Sequence, residues 1–181
     1  MVHAPPHSAS RLILLRHAKS DWPEGIVDAE RPLAQRGRAA APMIGAYMAA
    51  QDLVPDRVLV SPARRTRDTW QLLAPALPAT VAVLSEPRLY DAGVTRILSV
   101  LREQPREVHA LMLVGHNPGL EDIADVLTDQ GPAATRALMS EKFPTGALAI
   151  IDLPIDDWAD VMPQTGRLDR FVTPRSLMLE M

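Results

Sequence analysis

This sequence predicts an α/β three-layer α/β/α sandwich, with a mostly parallel central sheet of about five or six strands. Three observations carry that expectation. Five short runs rich in Leu, Val and Ile, at residues 12–16, 57–60, 81–84, 109–114 and 147–153, are bounded by Pro, Gly or charged residues. These runs are apolar almost throughout and lack polar alternation, the pattern of strands covered on both faces. Helix-length segments at about 33–51, 63–77, 94–103 and 119–128 lie between them, so strand and helix alternate along the chain.

Taken in order, Leu12-Ile13-Leu14-Leu15 runs into Arg16-His17-Ala18, and the segment from Lys19 to Pro32 has no clear period, so a loop beside the strand end is expected. The next helix is Ala-rich and places Ile44, Tyr47 and Met48 at i, i+3 and i+4, although Pro42 and Gly45 weaken its start. Val58-Leu59-Val60 runs into Ser61-Pro62-Ala63-Arg64-Arg65, and Leu111-Met112-Leu113-Val114 into Gly115-His116-Asn117-Pro118. Ser61 and Asn117 each precede a proline, which predicts two capped helix starts with their amino ends toward the strand ends. Residues 166–181 carry only a weak strand or extended signal. Residues 1–10 read as a flexible tail and 11–181 as a single domain.

Composition removes several functions. The apolar fraction of 47% and charged fraction of 23% are those of a soluble globule, and no apolar stretch approaches the roughly 20 residues of a membrane helix. With no cysteine there is neither a disulfide framework nor a thiolate zinc site. A cytoplasmic location fits that composition. The net charge of −3 argues against general nucleic-acid binding, which needs an excess of Lys and Arg, while leaving room for a small positive pocket.

If the first, second and fourth runs are neighbouring parallel strands, their carboxyl ends bring Arg16, His17, Arg65 and His116 to one sheet edge. A neutral imidazole has a lone pair for attack on phosphorus, while a guanidinium offers a planar fork of donors that stays charged. His17 is then the nucleophile, Arg16 and Arg65 grip a phosphoryl dianion, and His116 donates to its oxygens. Taken singly, each residue has a plainer reading as a strand-end histidine or a solvated arginine. Thr69, four residues after Arg65, shares its helix face, while Arg64 and Arg67 point elsewhere. A metal site built from His17, His116 and Asp91 competes with this reading, but two arginines would repel a divalent cation and no His-x-x-x-His spacing is present, so no metal and no cofactor are expected. Asp91 and Glu86, on the loop after the third strand, are the candidate general acids. A phosphate-binding module without catalysis would need the arginines but not a nucleophilic His17.

Together the three blocks resemble the histidine phosphatase superfamily, also called phosphoglycerate mutase-like. Arg16-His17-Ala18 resembles its Arg-His-Gly signature with Ala in third place, Ser61-Pro62 with Arg65 and Thr69 its second-arginine helix, and Gly115-His116 its second-histidine block. The short chain, Arg16-His17-Ala18-Lys19-Ser20-Asp21-Trp22, Arg31-Pro32-Leu33 and Val114-Gly115-His116-Asn117-Pro118 are similar to the SixA-type phosphohistidine phosphatases. The resemblance implies a phosphoglycerate mutase-like fold, a phosphohistidine intermediate on His17, and a pocket completed by Arg16, Arg65 and His116, with Ser20 and Asn117 as further substrate contacts. It also implies a phosphohistidine-bearing protein as substrate, with a small phosphorylated molecule as the alternative, while charge and hydropathy lead to the expectation of no nucleic-acid or membrane partner. The family's acid follows a Pro-x-Leu-x pattern, which here leads through Pro87-Arg88-Leu89-Tyr90 to Asp91 in preference to Glu86.

Overall fold

The computed structural model describes residues 9–179. Its strands are β1 (Ser10–Arg16), β2 (Arg57–Val60), β3 (Ala82–Ser85), β4 (Ala110–Gly115), β5 (Thr128–Gln130), β6 (Leu148–Leu153) and β7 (Gly166–Val172). Its helices are α1 (Gln35–Ala50), α2 (Arg64–Leu73), α3 (Val94–Arg102), α4 (Gly119–Leu127), α5 (Ala133–Glu141) and α6 (Pro174–Leu179). The seven strands form one sheet in the order β3-β2-β4-β1-β6-β7-β5. β6 alone runs against the rest, pairing antiparallel with both β1 and β7.

The apolar runs are explained by what covers them. On β1, Leu12 and Leu14 join a cluster with Ile97 and Val100 of α3, Leu120 and Ile123 of α4 and Met139 of α5. Ile13 and Leu15, between them in sequence, join Ile44 and Met48 of α1, Trp70 and Leu73 of α2 and Leu177 of α6. Successive side chains of a strand point to opposite faces, so a strand apolar at every position supplies two cores at once. β1, β4 and β6 do this at the centre of the sheet, and the three layers follow.

The sheet has seven strands where five or six were expected. β5 is three residues long and carries no apolar run. β7 interleaves buried Leu168 and Val172 with Arg167, Asp169 and Arg170, so its pattern is half polar. α5 buries only Met139, which left no helical stripe to read. β3 was expected to be covered on both faces, yet as an edge strand all four of its residues are exposed, with Val83 at 43% and Leu84 at 47%. Ser10, placed in the tail by sequence, is buried at the start of β1 and donates its hydroxyl to the Ile155 carbonyl at 3.0 Å. Residues 1–8 of that tail lie outside the described residues.

Because Leu14 is wholly buried at the centre of the sheet, Leu14→Ala should destabilise the fold by about 2–5 kcal/mol through lost transfer energy and a residual cavity. Urea denaturation would report this as a lower midpoint at an unchanged slope; an unaltered midpoint would contradict the two-sided core.

Candidate active site

β2, β4 and β1 are contiguous in the sheet and parallel, so their carboxyl ends lie side by side. Backbone pairing continues past the strands: the His17 amide donates to Gly115 O at 3.0 Å, and the Ser61 amide to Val114 O at 3.0 Å. These bonds hold the three strand-end segments together. The rings of His17 and His116 are tilted, with centroids 5.4 Å apart.

His17 is buried, with only 7% of its surface exposed. Its Nδ1 lies 2.8 Å from the Ala18 carbonyl. A carbonyl can only accept, so Nδ1 carries the proton and Nε2 keeps a lone pair. Burial disfavours the imidazolium, and the charges of His116, Arg65 and Arg16 add to that, against the Ala18 hydrogen bond; the pKa falls to about 3. His116 is lowered to about 4, first by burial and then by Arg65, with Asp28 opposing and Arg16 adding a smaller push down. Its Nε2 is 2.7 Å from the Ser61 hydroxyl, and its buried Nδ1 has no protein partner.

The two arginines are held differently. Arg16 donates from Nη1 to Phe143 O at 2.9 Å, and its buried Nε is unpaired. Arg65, 6% exposed on α2, donates from Nη1 to Asp28 O at 2.7 Å and from Nη2 to Asp28 Oδ2 at 3.1 Å, again with Nε unpaired. Thr69 shares this face as expected: its hydroxyl donates to Arg65 O at 2.7 Å and accepts from the Ala18 amide at 3.0 Å, tying α2 to the segment after β1. Arg64 and Arg67 are exposed. Asp28 is the centre of a network that also takes the Tyr90 hydroxyl and Arg31 Nη1. The Tyr90 hydrogen bond, then those from Arg31 and Arg65, hold the Asp28 carboxyl down at about 2, so it is an anion at neutral pH. Tyr90 also packs its ring edge-on against His116, with centroids 5.6 Å apart.

Asp28, Arg65, Tyr90, Asp91, Ala92, His116, Asn117 and Pro118 line a pocket of about 250 Å³. Asp91 therefore reaches the site, in a left-handed backbone conformation that aspartate tolerates. Glu86 does not line it; its carboxylate is engaged by Arg88 at 3.0 Å, which lowers its pKa. Ser20 does not line this pocket; its hydroxyl accepts from Arg31 Nη2 at 2.9 Å. Asn117 donates to Glu121 Oε2 and Phe143 O, both at 3.0 Å.

The two predicted caps are corrected. α2 begins at Arg64 after Ala63, and α4 at Gly119 after Pro118, neither with a side-chain cap bond. Ser61 lies two residues and Asn117 one residue before the observed cap positions; the Ser61 hydroxyl meets His116 and the Asn117 amide donates to Glu121 and the Phe143 carbonyl instead. Ser61, Asp28 and Tyr90 are the site residues sequence reasoning missed. Asp28 carried one usable signal, its position three residues before Arg31-Pro32-Leu33 in the loop expected beside the site. Among the described residues, no cluster of three or more His, Asp or Glu is arranged to hold a metal.

A doubly covered sheet whose adjoining strand ends gather two histidines and two arginines defines an α/β protein with a cationic strand-end cluster, of which Arg65 and His116 line the pocket and Arg16 and His17 do not. The sequence profile of the histidine phosphatase superfamily (branch 1) matches residues 12–141, and the chain belongs to that superfamily. It is 37% identical over 163 residues to the uncharacterized Mycobacterium tuberculosis protein Rv1276c, covering 89% of this chain and all of the relative. Among solved structures it is similar to one assigned as phosphohistidine phosphatase SixA from Agrobacterium tumefaciens, at 31% identity and a TM-score of 0.75, covering 91% of this chain and 98% of that one. The fold is also shared with a mycobacterial glucosyl-3-phosphoglycerate phosphatase, at 16% identity and a TM-score of 0.58, covering 90% and 98%.

The depressed histidines set a stability window. Unfolded, both titrate near the ordinary 6.5; folded, they hold no proton until about 4 and 3. Between pH 6.5 and those values the unfolded chain binds more protons, so stability present above pH 6.5 is lost as pH falls. Urea titrations at pH 7 and pH 5 should show a smaller loss in the His17→Asn, His116→Asn double variant than in the wild type. Equal losses would contradict the buried neutral state.

Proposed function

We propose that this chain hydrolyses phosphohistidine on a protein, through a phosphohistidine formed on its own His17 and without a metal ion. The observation that carries this reading is the fixed tautomer of His17: its Nδ1 proton is committed to the Ala18 carbonyl, leaving Nε2 unprotonated at neutral pH. Nε2 attacks phosphorus as the bond from phosphorus to the substrate imidazole breaks. That imidazole leaves neutral when its other nitrogen already carries a proton. Water then attacks the phosphoenzyme, the bond to Nε2 breaks, and inorganic phosphate is released with His17 regenerated.

In this reading Arg65 and His116, which line the pocket, and Arg16 behind them grip the transferring group, and each of the three has a buried ring or guanidinium nitrogen without a protein partner. Ionised Asp28 positions the Arg65 fork through two bonds, a role that its low pKa suits better than proton donation. Asp91, which lines the pocket beside Asp28, serves in this reading as general acid for poorer leaving groups. A pocket of about 250 Å³ is small beside the roughly 300–1,000 Å³ of drug-sized ligand sites, and so suits a phosphorylated side chain presented by another protein. The SixA likeness supports the same substrate class. We assign the activity to the cytoplasm on the cysteine-free composition. The second reading, a phosphatase for a small metabolite, is favoured by the fold shared with a glucosyl-3-phosphoglycerate phosphatase.

Incubation with an aryl phosphate should leave an acid-labile, alkali-stable phosphoryl label on the wild type and none on His17→Ala. Equal labelling would remove His17 as nucleophile. Asp91→Asn should slow alkyl phosphate hydrolysis by about 10²–10⁴-fold while sparing phosphohistidine peptides, because only the alkoxide needs a proton to leave. Parallel turnover of phosphohistidine peptides and a panel of sugar and nucleotide phosphates separates the two readings, since a strong preference for a metabolite would replace the first with the second.

A further inference from the structure

A second concavity, of about 420 Å³, has a different character. Lys19, Arg36, Lys142 and Arg175 line it, together with Pro144, Pro174, Met178 and two threonines, and among the described residues no acidic side chain does. All four cations are exposed. Among the described residues the ion-paired cations are Arg11, Arg31, Arg64, Arg65, Arg88, Arg106 and Arg170, and none of these four is among them. On a chain of net charge −3 this is a local excess of unneutralised positive charge.

The four cations come from four separate parts of the chain, and close backbone contacts bring them together. A Cβ on Gly37 would lie 2.1 Å from Lys19 O, so glycine is required for the first turn of α1, with Arg36, to sit against Lys19. Gly146 has φ +77° and a Cβ there would meet Pro174 Cγ at 2.7 Å, which seats the start of α6, with Arg175, against the loop that carries Lys142. The groove also shares its backbone with the phosphoryl site. Lys19 follows His17 by two residues, and the Gly146 amide donates to both Arg16 O and His17 O, at 3.1 and 3.0 Å. Phe143, between Lys142 and Pro144, supplies the carbonyl that receives Arg16.

We infer that this groove docks an acidic face of the phosphohistidine-bearing polypeptide and so presents its phosphoryl group to His17. The inference rests on the proposed substrate class. Exposed Lys and Arg on flexible stems make a poor cage for one small anion, because each must be ordered to hold it. Spread around a groove, they attract a partner by long-range potential and meet carboxylates at its rim. Met178, 53% exposed, with Pro144 and Pro174, adds the apolar surface that a protein contact uses and a small polyanion does not.

The test is a charge reversal at two exposed positions that take no part in the phosphoryl pocket, Lys142→Glu with Arg175→Glu. Three substrates are compared: p-nitrophenyl phosphate, a phosphohistidine peptide flanked by Glu, and the same peptide flanked by Gln. At low salt, kcat/KM for the Glu-flanked peptide should fall by about tenfold or more in the variant. The aryl phosphate and the Gln-flanked peptide should be unchanged, and the wild type's preference for Glu flanks should fade as salt rises. Equal turnover of the Glu-flanked peptide by both proteins overturns the docking groove. So does an equal fall for all three substrates, which would place the two residues in the general architecture of the site. Tighter binding of tripolyphosphate by the wild type than by the variant, with no effect on either peptide, would reassign the groove to a small anion. Turnover of aryl phosphate with neither peptide hydrolysed by the wild type would instead defeat the proposed substrate class, and the groove inference with it.

Discussion

The site depends on the parallel pairing of β2, β4 and β1 and on its continuation one residue beyond the strands. The bonds from His17 N to Gly115 O and from Ser61 N to Val114 O extend the ladder into segments that would otherwise be loops. Backbone hydrogen bonds at the floor of a buried site are strong constraints, because breaking one leaves buried polar groups unsatisfied. His17, Ser61 and His116 thereby inherit the rigidity of the sheet. The α2 arginine is tied to the same frame through Thr69, which bonds both the Ala18 amide and its own helix.

Burial then decides the chemistry. Two imidazoles sunk beside two guanidiniums cannot both carry charge at low cost, so the arginines hold the positive charge and the histidines stay neutral. That division matches a group-transfer site in which one residue type attacks and another holds an anion. Asp28 completes it from the opposite side. Its carboxylate joins Arg65, Arg31 and Tyr90, so the loop after β1 is fastened to α2 and to the segment after β3 by a single ion. The loop that sequence placed beside the site is thus part of its wall.

Legibility followed from how local each signal is. Arg16-His17 and Gly115-His116 could be found because a continuous apolar run ends abruptly at a polar pair, and runs of this kind mark central strands. Arg65 could be separated from Arg64 and Arg67 only by assuming which helix face meets the sheet edge, and Thr69 at i+4 supplied that. Ser61 was misread because Ser before Pro is a common helix start; its hydroxyl is taken by a histidine 55 residues away, a partner no local pattern announces. Ser20 was carried over as a substrate contact by resemblance, and its hydroxyl accepts a hydrogen bond from Arg31 of the same loop. β5, β7 and α5 were faint for a related reason. Each buries few apolar side chains and is held by neighbours already in place.

By itself, the sequence determined the α/β class, the central strands and the histidine and arginine types at their ends, because strands buried on both faces must be apolar at every position and their interruptions stand out. Tertiary structure alone decided the order β2-β4-β1 that makes those ends adjacent, the burial that keeps the histidines neutral, and the pairing of Arg65 with Asp28. It also gathered Lys19, Arg36, Lys142 and Arg175 around one groove. The physical reason is common to all of these: charge, solvation and hydrogen-bond partnership are properties of neighbours in space, and residues far apart in sequence become neighbours only when the sheet is assembled.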